Sequence, residues 1–191
     1  SCNACTGIII PPDAHSWEDQ PQTNETQYWF KCKVCSYESA KKDIPKVKVN
    51  ANDRVCRTQD YHFSFTVPEN CVDAGAGYEF PMMGDEADVE KKDGVYYGTV
   101  KKEWYQIDAS SFEVYILVET DDGVVFSDSF SVSVLDQHVG GEATCTQKAQ
   151  CEVCGEAYGE LDVRNHKLTH VAAKEATTEA EGNIEYWVCA D

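Results

Sequence analysis

The segment FEVYILVETDDGVVFSDSFSVSV (residues 112–134) decides the fold of the middle of the chain. Two apolar-rich stretches, 112–120 and 124–134, flank the tripeptide Asp121-Asp122-Gly123. A glycine at the end of such a tripeptide tolerates a positive φ angle, which a tight hairpin turn requires. The segment therefore predicts two antiparallel strands joined by a short turn.

The neighbouring sequence extends this β pattern in both directions. In YHFSFTV (61–67) large apolar residues alternate with polar ones, which is typical of a half-buried strand. VYYGTV (95–100) follows the turn signal KKDG. Strands with turn signals about every 10 residues are typical of an antiparallel sandwich. The fold class we predict is mainly β, with a central antiparallel Ig-like β-sandwich over 44–137.

Composition limits the class of protein and of partner. The chain has 191 residues, of which 42% are hydrophobic and 11% aromatic, so it is expected to be globular. No apolar run approaches the ~20 residues that span a bilayer. The net charge of −18 argues against nucleic acid and against an anionic membrane surface as partners. No signal peptide is visible in the opening SCNAC, and we expect both ends to be cuts in a longer protein.

Cysteine spacing divides the rest of the chain into two similar modules, 1–43 and 138–191. Each combines a CxxC pair, a histidine and a Tyr-Trp pair that leads into another cysteine. A module of this size buries too little apolar surface to fold without a metal or disulfides. We predict that two small cysteine-rich, zinc-ribbon-like modules flank the sandwich.

Zinc is the predicted cofactor, because a CxxC turn can point two thiolates at one ion. The predicted N-terminal ligands are Cys2, Cys5, Cys32 and Cys35. The predicted C-terminal ligands are Cys151, Cys154 and Cys189, with His170 as the fourth and His166 as its alternative. Disulfides are the competing interpretation, although a disulfide within CxxC closes a small, strained loop. A bond between Cys145 and Cys189 would remove one zinc ligand and favour disulfides.

Two further pairs of residues carry predictions. Cys56 and Cys71 bracket a predicted strand, and a disulfide between them would contribute ~3 kcal/mol through loop closure; two buried free thiols are the alternative. Trp104 and Tyr105 are adjacent, so a strand would expose one of them to a sugar or a protein. Core packing is the alternative for both aromatic residues.

The C-terminal module also carries a family resemblance. GGEATCTQKAQCEVCGEAYGEL (140–161) and HKLTHVAAKEATTEAEGNIEYWVCAD (166–191) resemble cysteine- and histidine-bearing repeats of large secreted, wall-attached proteins of Gram-positive gut bacteria. The first 35 or so residues look like a degenerate copy. The resemblance implies an extracellular location, secreted or on the bacterial cell surface, and a host glycoprotein such as immunoglobulin or mucin as partner.

No motif in the chain predicts catalysis. A nucleophile elbow, a phosphate-binding glycine loop, an HExxH zinc motif and a Cys–His catalytic signature are all missing from the sequence. We therefore predict a non-catalytic fragment of a bacterial surface protein that binds a host protein or glycoprotein or acts as a spacer. The alternative is a carbohydrate-binding accessory domain of a larger extracellular glycoside hydrolase.

Overall fold

The computed structural model describes residues 14–81, 83–105 and 109–190, and these are mainly β-structure, as the sequence predicts. The described residues form two compact units. Unit 1 consists of the described residues within 14–52, 62–100 and 112–131. Unit 2 consists of the described residues within 53–61, 101–111 and 132–190. Within the described residues, no helix has the length and apolar character needed to cross a membrane.

The strands of the described residues are mostly short. In chain order they are β1 (Gln22–Thr23), β2 (Gln27–Trp29), β3 (Lys42–Asp43), β4 (Lys48–Ala51), β5 (Arg54–Cys56), β6 (Tyr61–Thr66), β7 (Cys71–Phe80), β8 (Met83–Glu86), β9 (Asp88–Lys92), β10 (Val95–Val100), β11 (Ser111–Thr120), β12 (Val125–Leu135), β13 (Ala149–Gln150), β14 (Ala157–Tyr158), β15 (Leu168–Val171) and β16 (Tyr186–Cys189). A one-turn helix, α1 (Lys102–Tyr105), lies in unit 2.

Unit 1 is built from antiparallel pairings with an apolar interior. Its strands are ordered β1-β2-β3 in one sheet, β4-β6-β10-β9 in another, and β12-β11-β7-β8 in a third. Side chains on a strand point alternately to its two faces, so every second side chain of β6 and β11 is buried. The inward set is Phe63, Phe65, Phe112, Val114, Ile116 and Val118.

Glycine sets two of the turns in unit 1. Gly123 has a φ of 75° and lies between β11 and β12, so the predicted turn residue is confirmed. Asp93 and Gly94, with φ of 51° and 80°, join β9 to β10, where Lys92 pairs with Val95. Two positive φ angles in a two-residue loop match the right-handed twist of the flanking strands.

Unit 2 contains a parallel pairing that the sequence analysis did not predict. Residues 54–56 of β5 run parallel to residues 133–135 of β12. Arg57 follows β5 and donates hydrogen bonds from its guanidinium to Asp136 (2.6 Å) and to the carbonyls of Tyr105 and Ala109. These bonds hold the end of β5, and with it Cys56, in a defined position. The rest of unit 2 includes the hairpins β13–β14 and β15–β16.

Trp104 and Tyr105 lie on α1 and not on a strand. The exposure of the two side chains nevertheless differs, as it would for adjacent residues on a strand. Trp104 is 43% exposed and Tyr105 is 0% exposed. Only Trp104 therefore presents a surface to a ligand, and Tyr105 is a core residue.

Candidate metal centre

Cysteine and histidine side chains come together in three clusters among the described residues. Within each cluster the potential ligand atoms lie within 4.8 Å of one another. Site A is His15, Cys32 and Cys35; site B is Cys56, His138, Cys151 and Cys154; site C is Cys145, His166 and Cys189. Sulfur and imidazole nitrogen are the donors that zinc prefers in proteins, so each cluster could hold a metal ion.

Site B draws its ligands from separate parts of unit 2. Cys56 ends β5, and Cys151 directly follows β13. The turn after Cys151 closes when Gly155 N–H donates to the carbonyl of Cys151 at 2.8 Å. Gly155 has a φ of 73°, a conformation that strains other residues, so this glycine permits the turn. The turn carries Cys154 on the same side as Cys151.

Two distances in site B come within a few tenths of an ångström of those around a tetrahedral ion. Cys56 Sγ lies 3.6 Å from Cys151 Sγ, and Cys154 Sγ lies 3.3 Å from His138 Nδ1. Bonds of ~2.3 Å from zinc to sulfur and ~2.0 Å to nitrogen give ligand-to-ligand separations of about 3.5–3.8 Å in a tetrahedron. Both Cys56 and Cys151 are only 2% exposed, so the site is closed to solvent on that side.

A carboxylate lies beside the histidine of site B. While His138 Nδ1 faces Cys154, its Nε2 lies 3.6 Å from Glu156. Glu156 also accepts a hydrogen bond of 2.7 Å from Gln59. Zinc-ligating histidines usually direct their second nitrogen to a carboxylate, which fixes the ring orientation.

The thiols of site B differ in acidity before any metal binds. Burial alone would raise the pKa of Cys151, but backbone N–H groups, including those of Val139 and Cys154, stabilise its thiolate and lower its pKa to about 5. Burial and the neighbouring sulfurs of Cys154 and Cys151 raise the pKa of Cys56 to about 12. A cation at the centre would offset the repulsion that keeps Cys56 protonated.

Site A lies in unit 1 and is partly described. Cys35 Sγ is 3.6 Å from His15 Nδ1, and the buried His15 ring stacks on Tyr37 at 4.4 Å. A hydrogen bond from the Val34 N–H, with the nearby His15, lowers the pKa of Cys32 to about 6. Two predicted ligands of this site, Cys2 and Cys5, lie outside the described residues.

Site C lies in unit 2 and is more exposed than site B. Cys145 Sγ is 3.3 Å from Cys189 Sγ, and His166 Nδ1 is 3.4 Å from Cys189 Sγ. His166 is exposed, and the two cysteines are half-buried.

The predicted C-terminal ligand set is divided between two clusters. Cys151 and Cys154 belong to site B, and Cys189 belongs to site C. His170 joins neither cluster: its Nε2 is 2.7 Å from Glu185, and its ring contacts Trp187. The strand register explains this, because Leu168 is opposite Cys189 and His170 is two residues further along β15.

The predicted Cys56–Cys71 disulfide is not formed in this structure. Both residues are free thiols, with the sulfur of Cys56 beside that of Cys151. Cys71 begins β7, where it pairs with Thr120. Burial raises the pKa of the Cys71 thiol.

Sequence reasoning missed Cys56, His138 and His15 as potential ligands. Cys56 is 95 positions from Cys151, so no local spacing could connect them. His138 stands in a linker-like stretch before GGEATC, outside the CxxC pair that it joins in space. His166 was identified, as the alternative to His170.

Comparisons with known proteins identify no family. No protein-family model matches the chain, and no curated protein shows significant similarity to it. The resemblance to cysteine- and histidine-bearing surface repeats therefore stays a prediction.

Proposed function

We propose that this chain is a non-catalytic segment of a secreted bacterial surface protein, in which zinc stabilises small cysteine-rich modules beside an Ig-like β-sandwich. The observation that carries the proposal is the donor set of site B, in which three sulfurs and one imidazole converge and two of the sulfurs are buried. Four protein ligands complete a tetrahedral zinc ion and leave no position for a substrate, which is the pattern of structural sites.

The pairing of sheets within unit 1 supports the sandwich. Phe63 on β6 contacts Phe130 on β12 with ring centroids 5.9 Å apart, and these strands belong to different sheets. Aromatic contacts between inward faces are expected where two sheets pack together. The ribbon-like description of the ends is supported by their short hairpins and cysteine-bearing turns.

Metal analysis tests the zinc part of this proposal. We expect protein purified under reducing conditions without added metal to contain zinc, and Cys154→Ser to lose one equivalent. Cys71→Ser is the matched control, because Cys71 lies outside the three clusters of the described residues. Unchanged zinc content in Cys154→Ser, or the absence of both zinc and free thiols, would contradict the proposal.

The partner we propose is an extracellular host protein or glycoprotein. The acidic chain, with its net charge of −18, suits neither nucleic acid nor an anionic membrane. Immobilised immunoglobulin and mucin are the probes that the family resemblance suggests. Retention of the intact chain on either, with negligible binding to free glycans, would support protein recognition, and no retention would leave a spacer role.

A carbohydrate-binding module is the second candidate, and a concave surface in unit 1 favours it. Aromatic residues and two charged groups line this surface: Trp17, Tyr28, Trp29, Phe30, Lys42 and Asp122. Aromatic faces beside hydrogen-bonding side chains suit sugar rings. Binding on a glycan array that is lost in Trp29→Ala but kept in Trp104→Ala would identify this surface. The reverse result would identify Trp104, and no binding would reject the candidate.

A further inference from the structure

The helix α1 is too short to form by itself, so neighbouring residues of unit 2 must hold it. It has four residues, Lys102–Tyr105, and a single helical turn fixes several dihedral angles for very few hydrogen bonds. The segment 56–60, which begins at the site B ligand Cys56, supplies hydrogen-bonding partners at both ends of α1. We propose that a metal ion at site B orders α1 through this segment and thereby fixes the exposed Trp104. This inference rests on the zinc ion proposed for site B.

Asp60 holds the start of α1. Its carboxylate accepts a hydrogen bond of 3.0 Å from the Lys102 N–H, a position at which the helix itself provides no acceptor. The same carboxylate lies 3.7 Å from Lys101 Nζ. A negative charge at the first turn of a helix also interacts favourably with the helix dipole. Displacement of Asp60 would therefore remove the acceptor at the start of α1.

Arg57 holds the other end of α1. Its guanidinium donates hydrogen bonds to the carbonyls of Tyr105 and Ala109, and also to Asp136. The backbone of Arg57 is held as well, because its N–H donates to the carbonyl of Leu135 at 3.0 Å. The position of α1 therefore follows the position of Arg57.

Site B anchors the segment 56–60 on its other side. Cys56 supplies one of the four donors of the site, and its carbonyl accepts a hydrogen bond of 2.9 Å from the Gln59 N–H. The side chain of Gln59 donates to Glu156, the carboxylate beside His138. A metal ion bonded to Cys56 and His138 would join these two attachments. Loss of the ion would leave the segment without its bond to the site.

The exposed residue controlled in this way is Trp104. Its side chain is 43% exposed, and its N–H donates to the carbonyl of Lys101 at 3.1 Å, so its direction depends on the turn of α1. A binding surface gains affinity when its side chains are ordered before the ligand arrives, because less entropy is lost on binding. Metal loading would therefore preorganise Trp104 for a ligand, and metal loss would release it.

Amide exchange followed by NMR tests the link, with zinc content measured on the same samples. Cys154→Ser removes a site B ligand outside the segment 56–60. We expect it to lose one equivalent of zinc, and we expect the Lys102 and Trp104 amides to exchange at least about tenfold faster. That factor corresponds to the loss of roughly one hydrogen bond to a charged group. Cys71→Ser is the control and should change neither quantity.

A second pair of variants separates the link from a general unfolding of unit 2. Arg57→Met should keep the zinc of site B, because Arg57 is not a ligand, but should speed exchange in α1. Arg54→Met is the matched control, since Arg54 is an exposed arginine on the same strand, β5, and both quantities should stay unchanged. If Cys154→Ser unfolds unit 2 as a whole, the comparison of these two variants decides the question.

Failure of the link can be distinguished from failure of the zinc site. Slow exchange of the Lys102 and Trp104 amides in Cys154→Ser that has lost its zinc would overturn the inference and leave the zinc site standing. Unchanged zinc content in Cys154→Ser would overturn both. Exchange in Arg57→Met as slow as in Arg54→Met would also overturn the inference, because α1 would then not depend on the segment 56–60.

Discussion

Unit 1 and the segment 138–190 of unit 2 differ in how many apolar side chains they bury. Unit 1 buries a continuous set of large side chains, including Tyr28, Phe65 and Ile116. Between 138 and 190, the buried residues are Ala149 and Cys151, and apolar side chains such as Trp187 and Ile184 are exposed. Sites B and C draw ligands from this second region. Ligand bonds can replace apolar burial in regions this small.

The largest expected effect is the loss of site B. In Cys151→Ser we expect residues 138–190 to lose protection from amide exchange, with unit 1 little changed. The apparent binding free energy of a structural zinc is about 10–16 kcal/mol in zinc-finger peptides, and folding of such regions depends on it. Exchange measured by mass spectrometry would resolve the two regions.

Cys71→Ser is again the control for this experiment, since it removes a half-buried thiol outside the clusters. Full protection of 138–190 in Cys151→Ser would show that metal ligands do not replace a core there.

A core substitution should destabilise unit 1 rather than the segment 138–190. Ile116 is 0% exposed, and Ile116→Ala should destabilise unit 1 by about 2–5 kcal/mol through lost burial and the cavity left behind. Zinc content should not change. Denaturant unfolding followed by circular dichroism would measure the loss.

Leu117→Ala is the matched control for Ile116→Ala, because the adjacent side chain on β11 is 41% exposed. Its expected change is within about 0.5 kcal/mol. Equal effects of the two substitutions would contradict the inward orientation of Ile116.

These two experiments also separate what the sequence could predict from what it could not. The alternation in 61–67 predicted which side chains of β6 are buried, because local periodicity determines the face of a strand. Site B could not be predicted, since Cys56 joins it through the parallel pairing of β5 with β12. The register of β15 with β16, which separates His170 from Cys189, is likewise a property of pairing rather than of spacing.

A smaller effect is expected where an aromatic ring covers a glycine in unit 1. A Cβ added at Gly98 on β10 would lie 2.2 Å from the ring of Phe63 on the neighbouring strand β6. Gly98→Ala should therefore force a buried ring to move and cost about 1–3 kcal/mol. Thermal unfolding would show a lower midpoint.

Gly75→Ala controls for the general effect of replacing a strand glycine, because a Cβ there has no atom within 4 Å. It should be neutral or slightly stabilising, since alanine loses less backbone entropy on folding. A similar loss for both variants would point to a backbone effect rather than to Phe63.

The smallest expected effect is that of removing an ion pair on the surface of unit 1. Lys42 Nζ lies 2.7 Å from Asp122 and 3.0 Å from Asp121, and its side chain is 39% exposed. Solvent screening at this exposure limits the effect of Lys42→Met to less than about 1 kcal/mol. The hydrogen bonds that Lys42 donates to the carboxylates of Asp122 and Asp121 raise the pKa of Lys42.

The pH dependence of that effect follows from the direction of the shift. Because the folded pKa is raised, the contribution is fully present below the unfolded lysine pKa of ~10.4 and is lost as the pH rises through the folded pKa. The difference in unfolding free energy between wild type and Lys42→Met should therefore be equal at about pH 7 and about pH 9. It should shrink in high salt, because exposed charges are screened. Lys48→Met, which replaces an exposed lysine on β4, should show little difference. A difference in unfolding free energy that is insensitive to salt would mean that Lys42 acts through packing of its alkyl chain. This surface position of unit 1 would then contribute to stability by packing, as its core residues do.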